Sequence, residues 1–180
     1  MKYNWGHMVG VLGACTASVL LAACGTSGPS PSTTSATTTV VPALATCTTT
    51  SLTATLVNGQ GAAGTFSYEL TLSNKGATTC RTKGYPGVSL INAQGLRIGN
   101  PATRVPQRIS RITLAPTQRA HATIFLTDSG AVCDHATVAS ALRVYPPDET
   151  TSLVVPVTNM DYCVGYTAQS FSVTPLSPAS

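Results

Sequence analysis

Charge is the scarcest resource of this chain: Asp, Glu, Lys and Arg make up 9% of its 180 residues, against roughly 25% in an average soluble protein. That excludes a surface kept in solution by ion pairs, and leaves the task to Thr and Ser hydroxyls and exposed backbone. The acids are six, Glu69, Asp128, Asp134, Asp148, Glu149 and Asp161, and none forms a recognisable pair for general acid–base work. Histidine is scarcer still. His121 and His135 are the only two beyond the first dozen residues, and neither has a second ligand at usable spacing, so each reads as a solvated or edge-packed side chain. No Gly-x-Ser-x-Gly elbow occurs, and Ser129 before Gly130 sits in a turn, which leaves an exported hydrolase little to stand on. There is no Cys-x₂-Cys pair, which speaks against zinc. No metal and no cofactor is expected.

Also missing is an apolar run long enough to span a bilayer. The apolar segment near the start, Met8–Ala23, is uncharged and has 16 residues, where a spanning helix needs about 20. It follows Lys2, and His7 adds charge only when protonated. The stretch ends in Leu21-Ala22-Ala23-Cys24. A short positive segment, an apolar body and small residues before a cysteine make a bacterial lipoprotein signal peptide. Small residues let a peptidase reach the backbone, and the Cys24 thiol takes a diacylglyceryl group before cleavage on its amino side. Residues 1–23 are therefore expected to be removed, and Cys24 to hold the chain on the plasma membrane, facing outward. Two or more acyl chains on one residue suffice for stable anchoring, at about 0.8 kcal/mol per buried CH₂. Losing Lys2 lowers the formal charge from +4 to +3, too mild for a nucleic-acid binder.

What is present in quantity is Thr, Ser and Pro between Cys24 and the next cysteine. Residues 24–46 bury too little to offset ordering entropy and read as a disordered linker, with the composition of an O-glycosylated stalk or a bare spacer. Beyond it lie Cys47, Cys80, Cys133 and Cys163. In an exported domain an even set of cysteines forms disulfides. Four cysteines allow three pairings, and sequence does not choose among them. Cys47–Cys80 with Cys133–Cys163 is the expectation, since each then ties neighbouring segments.

From Cys47 to Ser180 the pattern is short strands between turn signals. Phe66, Tyr68, Leu70 and Leu72 alternate with Ser67, Glu69, Thr71 and Ser73, the period of a strand with one buried face. Further strands are expected at 51–57, 88–91, 96–98, 109–114, 119–127, 142–145, 152–157 and 170–174. Asn92-Ala93-Gln94-Gly95 should close a hairpin. Only residues 132–142 offer a helical turn or two. Nine short strands in one domain make an antiparallel β-sandwich.

These residues also carry a family resemblance. Cys47, the strand ending Leu72-Ser73-Asn74, Cys80, Gly84-Tyr85-Pro86-Gly87-Val88, Gly95, Leu114-Ala115-Pro116, Ala120, Ala122, Cys133, Val144-Tyr145-Pro146 and Cys163 together resemble the actinobacterial secreted and lipoprotein domain called domain of unknown function 4232. The resemblance covers roughly Cys47 to Pro175. It implies an immunoglobulin-like sandwich outside the cell and supplies no activity and no catalytic residues. Similar proteins commonly have Gly after the Pro of Leu-Ala-Pro, where this chain has Thr117. The Gly-Tyr-Pro-Gly segment reads as turn chemistry, with Tyr85 at the sandwich edge.

The basic residues remain. Arg97, Arg104, Arg108, Arg111 and Arg119 fall in one stretch, with Lys75, Arg81 and Lys83 shortly before, and no acid intervenes between Glu69 and Asp128. Arginine suits phosphate and carboxylate, so the five arginines are candidates for anion binding. A solvated cationic face that keeps the protein soluble is the favoured explanation, because charge patterning alone rarely identifies a ligand. The expected function is a non-enzymatic binding or scaffolding module of the cell envelope, with an envelope glycan, a phospholipid or a protein as partner. A carrier of lipid or of an anionic ligand is the alternative.

Overall fold

A strand whose large apolar side chains all point one way packs best beside one carrying small ones. The computed structural model, which describes residues 43–179, brings two such strands together. In chain order its strands are β1 (Leu52–Ala62), β2 (Thr65–Asn74), β3 (Cys80–Lys83), β4 (Gly87–Ile91), β5 (Arg97–Ile98), β6 (Thr103–Arg104) and β7 (Arg111–Leu114). Then come β8 (Arg119–Thr127), β9 (Thr137–Val138), β10 (Ala141–Tyr145), β11 (Leu153–Pro156), β12 (Asp161–Tyr162), β13 (Phe171–Val173) and β14 (Ser177–Pro178). On β2, Leu70 and Leu72 lie opposite Ala122 and Ala120 of β8. All four are fully buried, so the alanines leave room for side chains from the facing sheet.

The larger sheet runs β1-β2-β8-β13-β6, with β14 also on β8, and the smaller runs β11-β10-β4-β5. Leu90, Leu142, Val88, Val144 and Val155 from the smaller sheet join Leu70, Leu72, Ile124 and Val173 from the larger in one buried cluster. Interdigitation of two inner faces is the core of a β-sandwich. With β1, β2 and β8 in the places of strands A, B and E, and β4, β5, β10 and β11 in those of C, C′, F and G, the order is immunoglobulin-like. One departure sits where strand D would lie against E. There the C-terminal β13 intervenes, antiparallel to β8 and parallel to β6. Two ribbons, β3–β7 and β9–β12, complete the set.

The disulfides join Cys47 to Cys80 and Cys133 to Cys163, across sequence separations of 33 and 30. This is the expected pairing, and on chain-entropy arithmetic each loop of this length contributes about 3 to 4 kcal/mol. The strand expected at 119–127 has those bounds, and the Asn92–Gly95 hairpin forms. Asn92 Oδ1 accepts from the Gln94 and Leu96 amides, while Gly95 takes φ of +75°. The helical turn expected within 132–142 is not there. A 3-10 turn at Ser129–Ala131 precedes it instead, and residues 137–138 are drawn into β9 by pairing with β12. The signal peptide expected at 1–23 and most of the linker at 24–46, Cys24 included, lie outside the described residues.

Asn74 shows how a polar side chain replaces a longer strand. It is buried, its Nδ2 donates to the Thr78 and Leu114 carbonyls, and its Oδ1 accepts from the Gly76 amide. Its own backbone carbonyl takes the amide of Thr117. Thr117 has φ of +68° in the turn closed by the Gln118 amide on Ala115 carbonyl, with Pro116 at the second position. That is a type II turn, whose third position favours glycine. The threonine thus keeps the glycine geometry at a steric cost. Thr117→Gly should stabilise the oxidised protein by about 1 kcal/mol, net of glycine's greater unfolded-state freedom, and raise the melting temperature by about 3 °C. A calorimetric scan showing no rise would contradict that reading of the turn.

Candidate functional site

Two adjacent short strands, β3 and β7, bring three of the chain's cations together. On β3 the residues alternate buried and outward: Cys80 and Thr82 in, Arg81 and Lys83 out. On β7 Arg111 and Thr113 are outward, Ile112 and Leu114 inward. The antiparallel register sets Lys83 opposite Arg111 and Arg81 opposite Thr113. Three cations therefore share the outer face of one two-stranded ribbon, with two of them directly opposed. Like charges in directly opposed positions are destabilising, so the ribbon holds an arrangement that an anion would relieve.

The ribbon forms the floor of a cleft of about 170 Å³ lined by Thr46, Arg81, Thr82, Lys83, Arg111 and Asp148. Asp148 is its one acid. It sits at φ +64° in the turn Pro146-Pro147-Asp148-Glu149, closed by the Glu149 amide on the Pro146 carbonyl. Glu149 fastens this turn to the start of the domain. Its Oε2 accepts from the Thr49 amide at 3.0 Å and the Thr49 hydroxyl at 2.8 Å. Those two hydrogen bonds favour the ionised form and hold the carboxyl below the ordinary glutamate value.

The chain leading into the domain meets this same ribbon. Thr46 pairs with Arg81 in a parallel bridge. The Cys47 amide donates to the Arg81 carbonyl and the Arg81 amide to the Ala45 carbonyl, each at 2.9 Å. The Cys47–Cys80 disulfide closes beside them.

A second concavity lies elsewhere. It measures about 470 Å³ and is lined by residues 99–103 and 162–171, among them Asn100, Thr103, Tyr162, Tyr166 and Phe171, with no charged side chain. Tyr162 and Phe171 meet edge to face with centroids 6.5 Å apart. Gly99, at φ +63°, lies so close to Tyr162 that a Cβ there would fall 2.2 Å from the ring; only glycine fits. Buried Gln169 braces the wall, accepting from the Cys163 amide and donating to the Thr127 and Asp161 carbonyls. Tyr166 is half-exposed at the rim. Sequence reading passed over this groove, because only folding brings its two segments together; the uncharged run 162–171 with two tyrosines was the available signal.

The five candidate arginines are all exposed but stand on different elements. Arg97 is on β5, Arg104 on β6, Arg111 on β7, Arg119 at the start of β8, and Arg108 in the connection between β6 and β7. Arg111 is the member of the five that lines the cationic cleft; its neighbours there, Arg81 and Lys83, come from outside the set. The Arg104 guanidinium lies 5.3 Å from the centre of the Tyr85 ring, a cation–π contact. The Tyr85 hydroxyl donates to the Val105 carbonyl and accepts from the Gln107 amide, which gives the Gly-Tyr-Pro-Gly segment a structural use. His121 is half-buried on β8, and His135 is exposed between the 3-10 turn and β9. Among the described residues, no group of three or more His, Cys, Asp or Glu is placed to hold a metal ion.

A family profile matches residues 47–177, described as domain of unknown function (DUF4232). Among curated proteins, none matches the chain.

The Glu149 carboxyl gives the site a pH dependence with a definite sign. Its folded pKa is lowered, so its stabilisation is complete above the unfolded carboxylate range and is lost as pH falls through the folded value. Acid should therefore loosen the 146–149 turn, and Glu149→Gln should flatten that part of the stability-versus-pH curve. Denaturant midpoints taken from pH 7 down to 3 check this. A curve with the same slope in the variant as in the parent would remove Glu149 from the account.

Proposed function

The chain belongs to the DUF4232 family, and from that premise we propose that it is an extracytoplasmic lipoprotein of the actinobacterial type. In this reading a non-enzymatic binding or scaffolding module is held on the outer side of the plasma membrane by lipid on Cys24. The observation that carries it is the pair of disulfides, which use all four cysteines after Cys24. Such bonds persist in oxidising compartments and are rare where thioredoxin and glutathione keep thiols reduced. The Leu21-Ala22-Ala23-Cys24 motif after an uncharged apolar segment supplies the means of export and anchoring.

Support for a binding rather than catalytic role comes from how the titratable groups are used. Glu149 is an acceptor for a turn, and Asp128 caps a 3-10 turn by accepting from the Gly130 amide. His121 stands on β8, and His135 lies in the connection before β9. A second reading, carriage of a small envelope ligand, has one observation in its favour: the uncharged groove beside Tyr162 and Phe171 falls within the size range of small-molecule sites. Carriage between the sheets has less support, since their inner faces meet in one continuous cluster.

Cys24→Ala should shift the protein from the membrane fraction to the soluble fraction of an exporting bacterium, with the uncleaved apolar segment checked by intact mass. A variant that stays in the membrane after its signal segment has been removed would sink the anchoring proposal.

A further inference from the structure

We propose that the cleft formed by Arg81, Lys83 and Arg111 is a docking surface for the anionic phospholipid headgroups of the membrane that holds Cys24. This rests on the anchoring proposed above and adds a specific orientation to it. Three observations meet at one place. The first is charge: three cations face outward from one ribbon, two of them directly opposed, with one acid at the rim. The second is shape. A cleft of about 170 Å³ with the Thr46 and Thr82 residues in its wall suits a phosphodiester group better than a large ligand, and guanidinium matches phosphate bidentately.

The third is position. The tether's far end is Ala45 and Thr46, which pair with Arg81 inside this cleft, and the Cys47–Cys80 disulfide fixes them there. Drawn straight, the backbone from Cys24 to Thr46 reaches no more than about 75 Å. The linker therefore enters the domain beside the cationic cleft, which makes the cleft the part of the domain nearest to the anchor along the chain. A basic cluster restrained beside an anionic leaflet gains about a fivefold partition factor for each Lys or Arg near the surface, within a Debye length. A soluble anion would gain nothing from this placement; a membrane surface gains from all of it. Asp148 opposes the attraction and sets its strength.

Lys83 provides the readout. After removal of Lys2, the chain has two lysines, Lys75 and Lys83, so amine acetylation followed by mass spectrometry reports the cleft directly. The full lipoprotein would be reconstituted into vesicles of phosphatidylcholine alone or with phosphatidylglycerol, and flotation would be recorded with the footprint. Acetylation of Lys83 should fall severalfold on the anionic vesicles relative to the zwitterionic ones, and the difference should shrink in high salt. Arg111→Gln should lower the docking equilibrium constant about fivefold and Arg81→Gln with Arg111→Gln about 25-fold, which brings acetylation of Lys83 on the anionic vesicles close to that on the zwitterionic ones. Asp148→Asn, which adds no bulk, should increase it.

Equal acetylation of Lys83 on both vesicle types, in protein that floats with both, overturns the docking and leaves the anchor standing. Flotation with anionic vesicles alone overturns the anchor and keeps the docking, and flotation with neither overturns both. If inorganic phosphate protects Lys83 as well as the anionic vesicles do, the cleft takes a free anion and the membrane assignment fails.

Discussion

The crosslink between Cys47 and Cys80 ties the start of the domain to β3, and the geometry of the chain entering it follows from that bond. Ala45 and Cys47 bracket Arg81 with two backbone hydrogen bonds, a pairing too short to persist on its own in water. The disulfide holds that pairing in place, and in doing so fixes the point at which the preceding chain meets the domain. β3 in turn pairs with β7 in a register that brings Arg111 against Lys83. One covalent bond thus fixes where the chain enters the domain, and the β3–β7 register decides which cations stand beside that point.

A chain this poor in charge places its few ions with consequence. Glu149 holds the turn that sets Asp148 in the cleft, and its two hydrogen bonds from Thr49 return to the segment just after Cys47. The second disulfide, with Gln169, organises the other feature, an uncharged groove that needs glycine at 99 to bring the backbone against Tyr162. The sandwich that carries both is conventional in its physics: leucines face alanines across β2 and β8, and the two sheets share one core. The larger sheet is completed by the C-terminal β13 rather than by a D strand packed on E.

Much of this was legible from the residues. β2 and β8 could be read because each alternates over nine or ten residues, long enough for the period to stand out. The hairpin at 92–95 was legible because Asn and Gly have particular conformational roles there. β6, β9, β12 and β14 were not, since each is two residues long and exists only through a distant partner. The helical turn expected in 132–142 failed for the same reason: pairing with β12 outweighs local propensity. The five arginines showed that the region is basic, but register decides which charges meet. Arg111 found Lys83 and Arg81, while Arg104 went to the Tyr85 ring.

Hydrogen exchange in a protein carrying Cys47→Ser and Cys80→Ser tests most directly whether the crosslink holds the chain entering the domain on the cationic ribbon. The amides of residues 47 and 81, which bond across the joint, should lose at least about a hundredfold in protection. Those of β8 should keep measurable protection, since the core remains. Unchanged protection at 47 and 81 in the folded variant would mean that the joint holds without the disulfide, and would contradict the account.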